Sequence, residues 1–239
     1  MTMDGRRVLA VCPARGGSKG IHLKNLRPVG GVPMVARVGH LCAELDWLDR
    51  AVVSTDHDEI AAVAEQSGLA APFRRPESIA GDQIGDWDVL HHALLASEEH
   101  DGVTYDIVVM LQPTSPLRDT GHITKTVKAL IDGDWDACWT VSETDSKAHP
   151  LKQLAIHDGR LDFNDAGGAA IIARQQLAPV YHRNGLAYAI TRPCLVQQKT
   201  IMGRRTHGLV TPGHFVSIDT EFDIALVELL MNWERRSQV

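Results

Sequence analysis

Along this chain, short runs of apolar residues alternate with longer segments in which apolar positions recur every three or four residues. Residues 8–12 form an apolar run too short for a helix, closed by Pro13 and a glycine-rich turn, and predict a buried strand. Over residues 33–45, Met34, Val35, Val38, Leu41, Cys42 and Leu45 fall on one helical face, with Pro33 suited to the first helical position. Residues 51–54 predict a second strand, and residues 57–66 a second helix capped by Asp56 and stopped by Gly68. Residues 87–95 and 120–131 read as further helices, 107–111 and 137–141 as further strands.

This repeated strand–helix–strand spacing predicts an α/β fold, a doubly wound and mostly parallel sheet covered by helices on both faces. After Val141 the rhythm changes. Residues 150–163 predict a hairpin turning at His157-Asp158-Gly159-Arg160, and residues 164–179 are rich in Ala and Gly and take no assignment. Residues 186–190 and 215–218 predict strands, and residues 220–236 a closing helix. No repeat, low-complexity tract or long linker interrupts this order, so one domain over residues 1–239 is expected, with an excursion at about 142–180.

Composition narrows the function. The 239 residues carry 24 Lys plus Arg against 30 Asp plus Glu, a net charge of −6, which disfavours a nucleic-acid partner. Residues 44% hydrophobic and 23% charged describe an ordinary globular chain. No run reaches the roughly 18 to 20 apolar residues that span a bilayer, and the start Met1-Thr2-Met3-Asp4 lacks a signal-peptide pattern. No membrane partner and a cytoplasmic location are therefore expected. Cys12, Cys42, Cys138 and Cys194 are too scattered for a zinc knuckle or a disulfide framework and read as buried thiols. His91 and His92 are adjacent, about 100° apart on a helix, and cannot share a metal as an i, i+4 pair does.

The chemistry concentrates in Cys12-Pro13-Ala14-Arg15-Gly16-Gly17-Ser18-Lys19-Gly20 and the following Ile21-His22-Leu23-Lys24-Asn25. This stretch leaves the carboxyl end of the first strand, where open α/β sheets bind ligands. Its glycines allow close backbone approach, and Arg15, Lys19 and Lys24 add cations, a combination that suits a polyphosphate. Gly-Lys-Ser/Thr does not close it and G-x-G-x-x-G is absent, so it is neither a Walker loop nor a dinucleotide fingerprint. A solvated basic turn is the plain alternative.

The string Pro-Ala-Arg-Gly-Gly-Ser-Lys-Gly followed by Lys24-Asn25 resembles the signature of the CMP-N-acylneuraminate synthetase family, cytidylyltransferases that activate 2-keto sugar acids. Val53-Ser54-Thr55-Asp56, Arg75-Pro76-Glu77-Ser78-Ile79-Ala80-Gly81-Asp82 and Leu111-Gln112-Pro113-Thr114-Ser115-Pro116-Leu117-Arg118 resemble further family segments. His149-Pro150-Leu151-Lys152, Asn184-Gly185-Leu186-Ala187-Tyr188 and Ile218-Asp219-Thr220-Glu221 complete the order, from about Val8 to Leu230.

The resemblance implies a Rossmann-like nucleotidyltransferase in which an acceptor oxygen attacks the α-phosphorus of CTP and pyrophosphate leaves. It implies Arg15, Lys24 and Gln112 as catalytic residues, and Ala14, Arg15, Gly16, Gly17, Lys24, Asn25, Arg75 and Asp82 as nucleotide-binding ones. Gln112, Lys152, Asn184 and Tyr188 would bind the acidic acceptor, and Asp219 would hold Mg²⁺. It also implies a homodimer joined through the excursion at 142–180. Each role has a structural competitor: a turn arginine at 75, a turn dipeptide at Asn184-Gly185, a solvated Lys152.

One departure bears on the metal. The family pattern D-I-D-T-E reads Ser217-Ile218-Asp219-Thr220-Glu221 here, so one of two carboxylates is a hydroxyl. His182-Arg183 stands where the family often carries arginine and proline or two basic residues, and Asp86 where some relatives carry a small hydroxyl side chain. The expected acceptor is a nonulosonic acid of the sialic type. An organophosphonate or other 2-keto acid, a sugar-1-phosphate acceptor, and a non-catalytic CTP-binding role remain open alternatives.

Overall fold

The computed structural model of the chain describes residues 2–237, and side chains as far as residue 233. Met1, Gln238 and Val239, which the expected single domain and the reading of the first four residues include, lie outside the described residues. In chain order the strands are β1 (Val8–Pro13), the two-residue pair β2 (Pro28–Val29) and β3 (Val32–Pro33), β4 (Arg50–Ser54), β5 (Ile107–Met110), β6 (Ala137–Glu143), β7 (Leu154–His157), β8 (Arg160–Phe163), β9 (Tyr181–Thr191) and β10 (Thr206–Val210). The helices are α1 (Met34–Ala43), α2 (Asp58–Gln66), α3 (Asp86–Asp101), α4 (Thr120–Asp132), α5 (Arg192–Val196) and α6 (Glu221–Ser237).

The central sheet has six strands in the order β10-β6-β9-β5-β1-β4. β1 runs parallel to β4 and β5, and β10 parallel to β6, while β9 is antiparallel to both β5 and β6. The alternating side chains of each strand divide the core into two layers. Val8, Ala10 and Cys12 point to the face covered by α1, α2 and α4, where Val35, Ile60 and Val127 pack against them. Leu9 and Val11 point to the other face, with Leu90 and Leu94 of α3 and Leu195 of α5. This is the expected doubly wound α/β sheet. A third apolar cluster, Ile21, Val29, Met34, Ile218, Ile224 and Val227, seats α6 beside the turn that follows the cationic loop.

Several expectations need correcting. His57, not Asp56, is the residue before α2, and the Asp56 carboxylate accepts a hydrogen bond from Gly16 N instead, at 2.8 Å. Pro33 closes β3 and precedes α1 rather than opening it, and α1 stops at Ala43. α3 is longer than residues 87–95 because it runs on to Gly102, whose φ of 66° ends it. Residues 215–218 belong to no strand or sheet; Ile218 N donates to Thr114 O at 2.9 Å, which ties them to the loop after β5. β10 is an edge strand that the sequence pattern does not announce, and β9 starts at Tyr181 rather than Leu186. In the excursion, residues 150–152 form a 3-10 turn, and the hairpin proper is β7–β8, turning on Asp158 and Gly159 with φ of 51° and 78°.

All four cysteines are buried and unpaired. Burial pushes the thiols of Cys42 and Cys138 up to about 12 and that of Cys194 up to about 11, and raises Cys12 further, against a smaller opposing pull from Arg118 and Arg75. A thiol reagent such as DTNB is therefore expected to read none in the native chain and four in denaturant. Rapid reaction of any one under native conditions would contradict this packing.

Candidate active site

β1 delivers the glycine-rich loop to the carboxyl edge of the sheet, between β4 on one side and β5 on the other, where the crossovers diverge. Ala14 N still bonds Ser54 O at 2.9 Å, and then the chain turns out. Contact rather than conformation requires glycine at position 20 and favours it at position 16. A Cβ at Gly16 would lie 3.0 Å from the His57 side chain, and one at Gly20 would lie 2.4 Å from the backbone oxygen of Asp219. Buried Asn25 braces the loop from below, donating to Arg15 O at 2.9 Å.

This loop, the segment after Arg75 and the residues after β5 enclose a cleft of about 430 Å³. Its walls carry the cations Arg15, Lys19, Lys24 and Arg75 and the acids Asp82, Asp86 and Asp219. Asp82 spans two of the cations, 2.7 Å from Arg15 Nη1 and 2.5 Å from Lys19 Nζ. The hydrogen bond from Lys19 above all, then the charges of Lys19 and Arg15, hold its carboxyl below the usual range. Lys24 is largely enclosed; its Nζ donates to Ile218 O at 3.0 Å and to Asp219 Oδ1 at 2.8 Å. Arg75 is buried, with Nε on Ser54 Oγ at 3.1 Å and Nη2 on Ser54 O at 2.6 Å. It is not a surface arginine at a turn, and among the described residues it has no carboxylate at ion-pair distance. Burial lowers its affinity for the proton, against the pull of Asp56.

The structure brings Arg15, Lys24, Asn25, Arg75, Asp82, Gln112 and Asp219 into one cleft. Ala14, Gly16 and Gly17 shape the loop without lining it. Three expected acceptor-side residues do not face it. Lys152 is exposed on the excursion. Asn184 is buried, its amide bonded to Thr140 Oγ1, Ser142 Oγ and Leu186 N. Tyr188 is 1% exposed, packs on Trp139, and accepts from Gly185 N at 2.8 Å through its hydroxyl. The polar atoms of Asn184 and Tyr188 hold the irregular stretch of β9 at residues 184–186 in place.

Ser18, Gly20, Ile84, Val89, Pro113 and Thr114 also line the cleft, and of these Ser18, Gly20, Pro113 and Thr114 stand inside the motif strings. Buried Arg118, the last residue of the string after β5, lies behind the cleft rather than in its lining, a bracing role that its place in the motif does not announce. Its guanidinium donates to Gln112 O at 2.7 Å, to Gly185 O at 2.8 Å and to Leu186 O, joining the loop after β5 to β9.

The donor set for a cation is sparse. Asp219 opens onto the cleft, Ser217 is exposed and outside its lining, and no cluster of three or more His, Cys, Asp or Glu exists among the described residues. Such a set cannot cage a cation alone. It fits Mg²⁺, which keeps an octahedral shell largely of waters and substrate phosphates and takes one or two carboxylates from protein.

Residues 9–234 match a family described as Cytidylyltransferase. The chain is 31% identical to the CMP-N,N'-diacetyllegionaminic acid synthase of Legionella pneumophila, with 98% of this chain and 100% of that one covered. It is 28% identical to the post-translational flagellin modification protein B of Campylobacter coli, with 94% of each chain covered. A CMP:2-keto-3-deoxy-manno-octonic acid synthetase complexed with CTP shares the fold, with a TM-score of 0.68 over 95% of this chain and 99% of that one, at 18% identity.

Proposed function

Because the chain belongs to the cytidylyltransferase family, we propose that its cleft transfers the CMP unit of CTP to a small sugar acid and releases pyrophosphate. The observation that carries this reading is the convergence of Arg15, Lys19, Lys24 and Arg75 on one open cleft at the carboxyl edge of the sheet. Incoming phosphates would displace Asp82 from Arg15 and Lys19, trading one carboxylate for a more highly charged anion. Lys24, fixed by two acceptors, would meet charge that builds on the leaving pyrophosphate without having to reorganise. Gln112, at the end of β5, would orient the acid, and Asn25, Arg75 and Asp82 would bound the nucleotide. Mg²⁺, held by the phosphates and Asp219, would supply charge neutralisation and alignment there.

The favoured acceptor is a nonulosonic acid, in keeping with the relative named for diacetyllegionaminic acid. A cytoplasmic location goes with this reading, since CTP is available there. The excursion presents Leu154, Ile156, Leu161, Phe163 and Ile172 to solvent, an apolar surface that a second copy of the chain would cover. Sedimentation or mass measurement in solution decides that state. No helix among the described residues is long and apolar enough to cross a membrane.

Incubation with CTP, Mg²⁺ and a panel of sugar acids, phosphonates and sugar 1-phosphates should release pyrophosphate with a nonulosonic acid. UTP, GTP and dTTP should be poor donors. CTP binding with no pyrophosphate from any acceptor would instead make the chain a nucleotide-binding protein without turnover.

A further inference from the structure

The carboxyl end of β4 organises two walls of the cleft from behind. Ala14 N and the Arg75 guanidinium both donate to Ser54 O, at 2.9 and 2.6 Å, and Arg75 N donates to Thr55 O at 2.8 Å. The next residue, Asp56, is exposed and stands outside the lining of the cleft. Its Oδ1 accepts from Gly16 N at 2.8 Å. At the other end of the same peptide unit, Arg15 O accepts from Asn25 Nδ2 at 2.9 Å. The bond is trans, so its C=O and N–H point opposite ways, and the plane is gripped from two sides. Gly16 O in turn accepts from Ser18 N at 3.0 Å, and the His57 side chain occupies the space that a side chain at position 16 would need.

Resting on the reading of this cleft as a cytidylyltransferase site, we infer that Asp56 is a positioning residue, clamping the Arg15–Gly16 peptide so that the loop meets the triphosphate already shaped. A flip of this plane would turn the Arg15 carbonyl toward the Asp56 carboxylate and the Gly16 N–H toward the Asn25 amide nitrogen. Two repulsive contacts would replace two hydrogen bonds. With the plane fixed, the Arg15 side chain leaves the loop toward Asp82 and the cleft. A loop ordered in advance spares the nucleotide the cost of ordering it. Charge alone argues the other way, since a carboxylate behind an anion site repels the anion. The hydrogen bond and the charge of Asp56 therefore act with opposite sign on nucleotide binding, and substitution separates them. Asn keeps an oxygen that accepts from Gly16 N and removes the charge, whereas Ala removes both.

The experiment compares wild type, Asp56→Asn and Asp56→Ala by calorimetric titration with CTP and with CMP, in Mg²⁺ and without acceptor. Amide exchange at Gly16 is followed by NMR in the free chains, which reads the clamp without any ligand. In Asp56→Ala the Kd for CTP should rise about tenfold, while that for CMP, which lacks the β- and γ-phosphates, should stay within about threefold. Asp56→Asn should bind CTP as tightly as wild type or more tightly, a rescue that general loosening of the fold would not give. The Gly16 amide should exchange faster in Asp56→Ala than in the other two chains. CTP binding in Asp56→Ala as tight as wild type, an equal loss for CMP and CTP, an equal loss in both variants, or unchanged Gly16 exchange overturns the clamp while leaving the activity standing. A wild-type chain that binds no CTP overturns the functional reading and this inference together.

Discussion

Lys24→Ala is expected to lower kcat/KM for CTP by about a hundredfold to a thousandfold, the loss typical of removing one preorganised donor from a site of charge development. The wild-type ammonium is held by Ile218 O and Asp219 Oδ1 and is only 17% exposed, so it waits in position rather than being recruited from solvent. Its removal has two consequences of the same sign. A cation is lost from the phosphate end, and the Asp219 carboxylate is left without its partner, facing an incoming anion. Far-ultraviolet circular dichroism should be unchanged, since Lys24 lies in a 3-10 turn at the cleft rim and carries no core packing. A decrease smaller than tenfold would place the phosphate grip elsewhere.

Arg118→Met is expected to destabilise the chain by about 3 kcal/mol or more, seen as a lower urea midpoint at unchanged slope. The guanidinium is buried and, among the described residues, faces carbonyls rather than a carboxylate. Burial pushes it down to about 10. Two effects compete in this substitution. Removing a buried charge relieves a desolvation cost, while the carbonyls of Gly185 and Leu186 each lose a buried donor and that of Gln112 keeps only Ser115 N, at 3.2 Å. An unsatisfied buried acceptor costs about 1–3 kcal/mol, and two of them outweigh the relief. Stability equal to wild type would mean that the strand ends hold their spacing without this brace.

The contrast between these two residues shows what the chain discloses unaided. Lys24 announces itself, because a cation beside a glycine turn at a strand end has few other uses. Arg118 does not, since nothing local distinguishes an arginine that braces from one that binds. The buried strands β1 and β5 are legible because each is covered on both faces and is apolar almost throughout, and β6 is legible from its apolar first half. β10, with Thr206, His207 and Gly208, is half exposed at the sheet edge and offers neither an apolar run nor clean alternation. Residues 215–218 have strand composition, yet their backbone is tied to Thr114 rather than to a ladder, a choice made by tertiary contact. Asn184 and Tyr188 carry the right motif, but their polar groups are spent within the fold, and only the packing around Thr140 and Gly185 reveals it. The pairing of Asp82 with both Arg15 and Lys19 joins positions more than sixty residues apart, beyond the reach of any local pattern.

The sealed state of Cys12, Cys42, Cys138 and Cys194 makes this chain a ready host for a single reporter. One cysteine introduced at Ile156, on the exposed hairpin, would be the sole position that maleimide dyes or nitroxides reach in the folded chain. Spin labels there would test the proposed dimer directly, since two hairpins that meet give a measurable interval and separate chains give none, without any native sulfur needing to be mutated away.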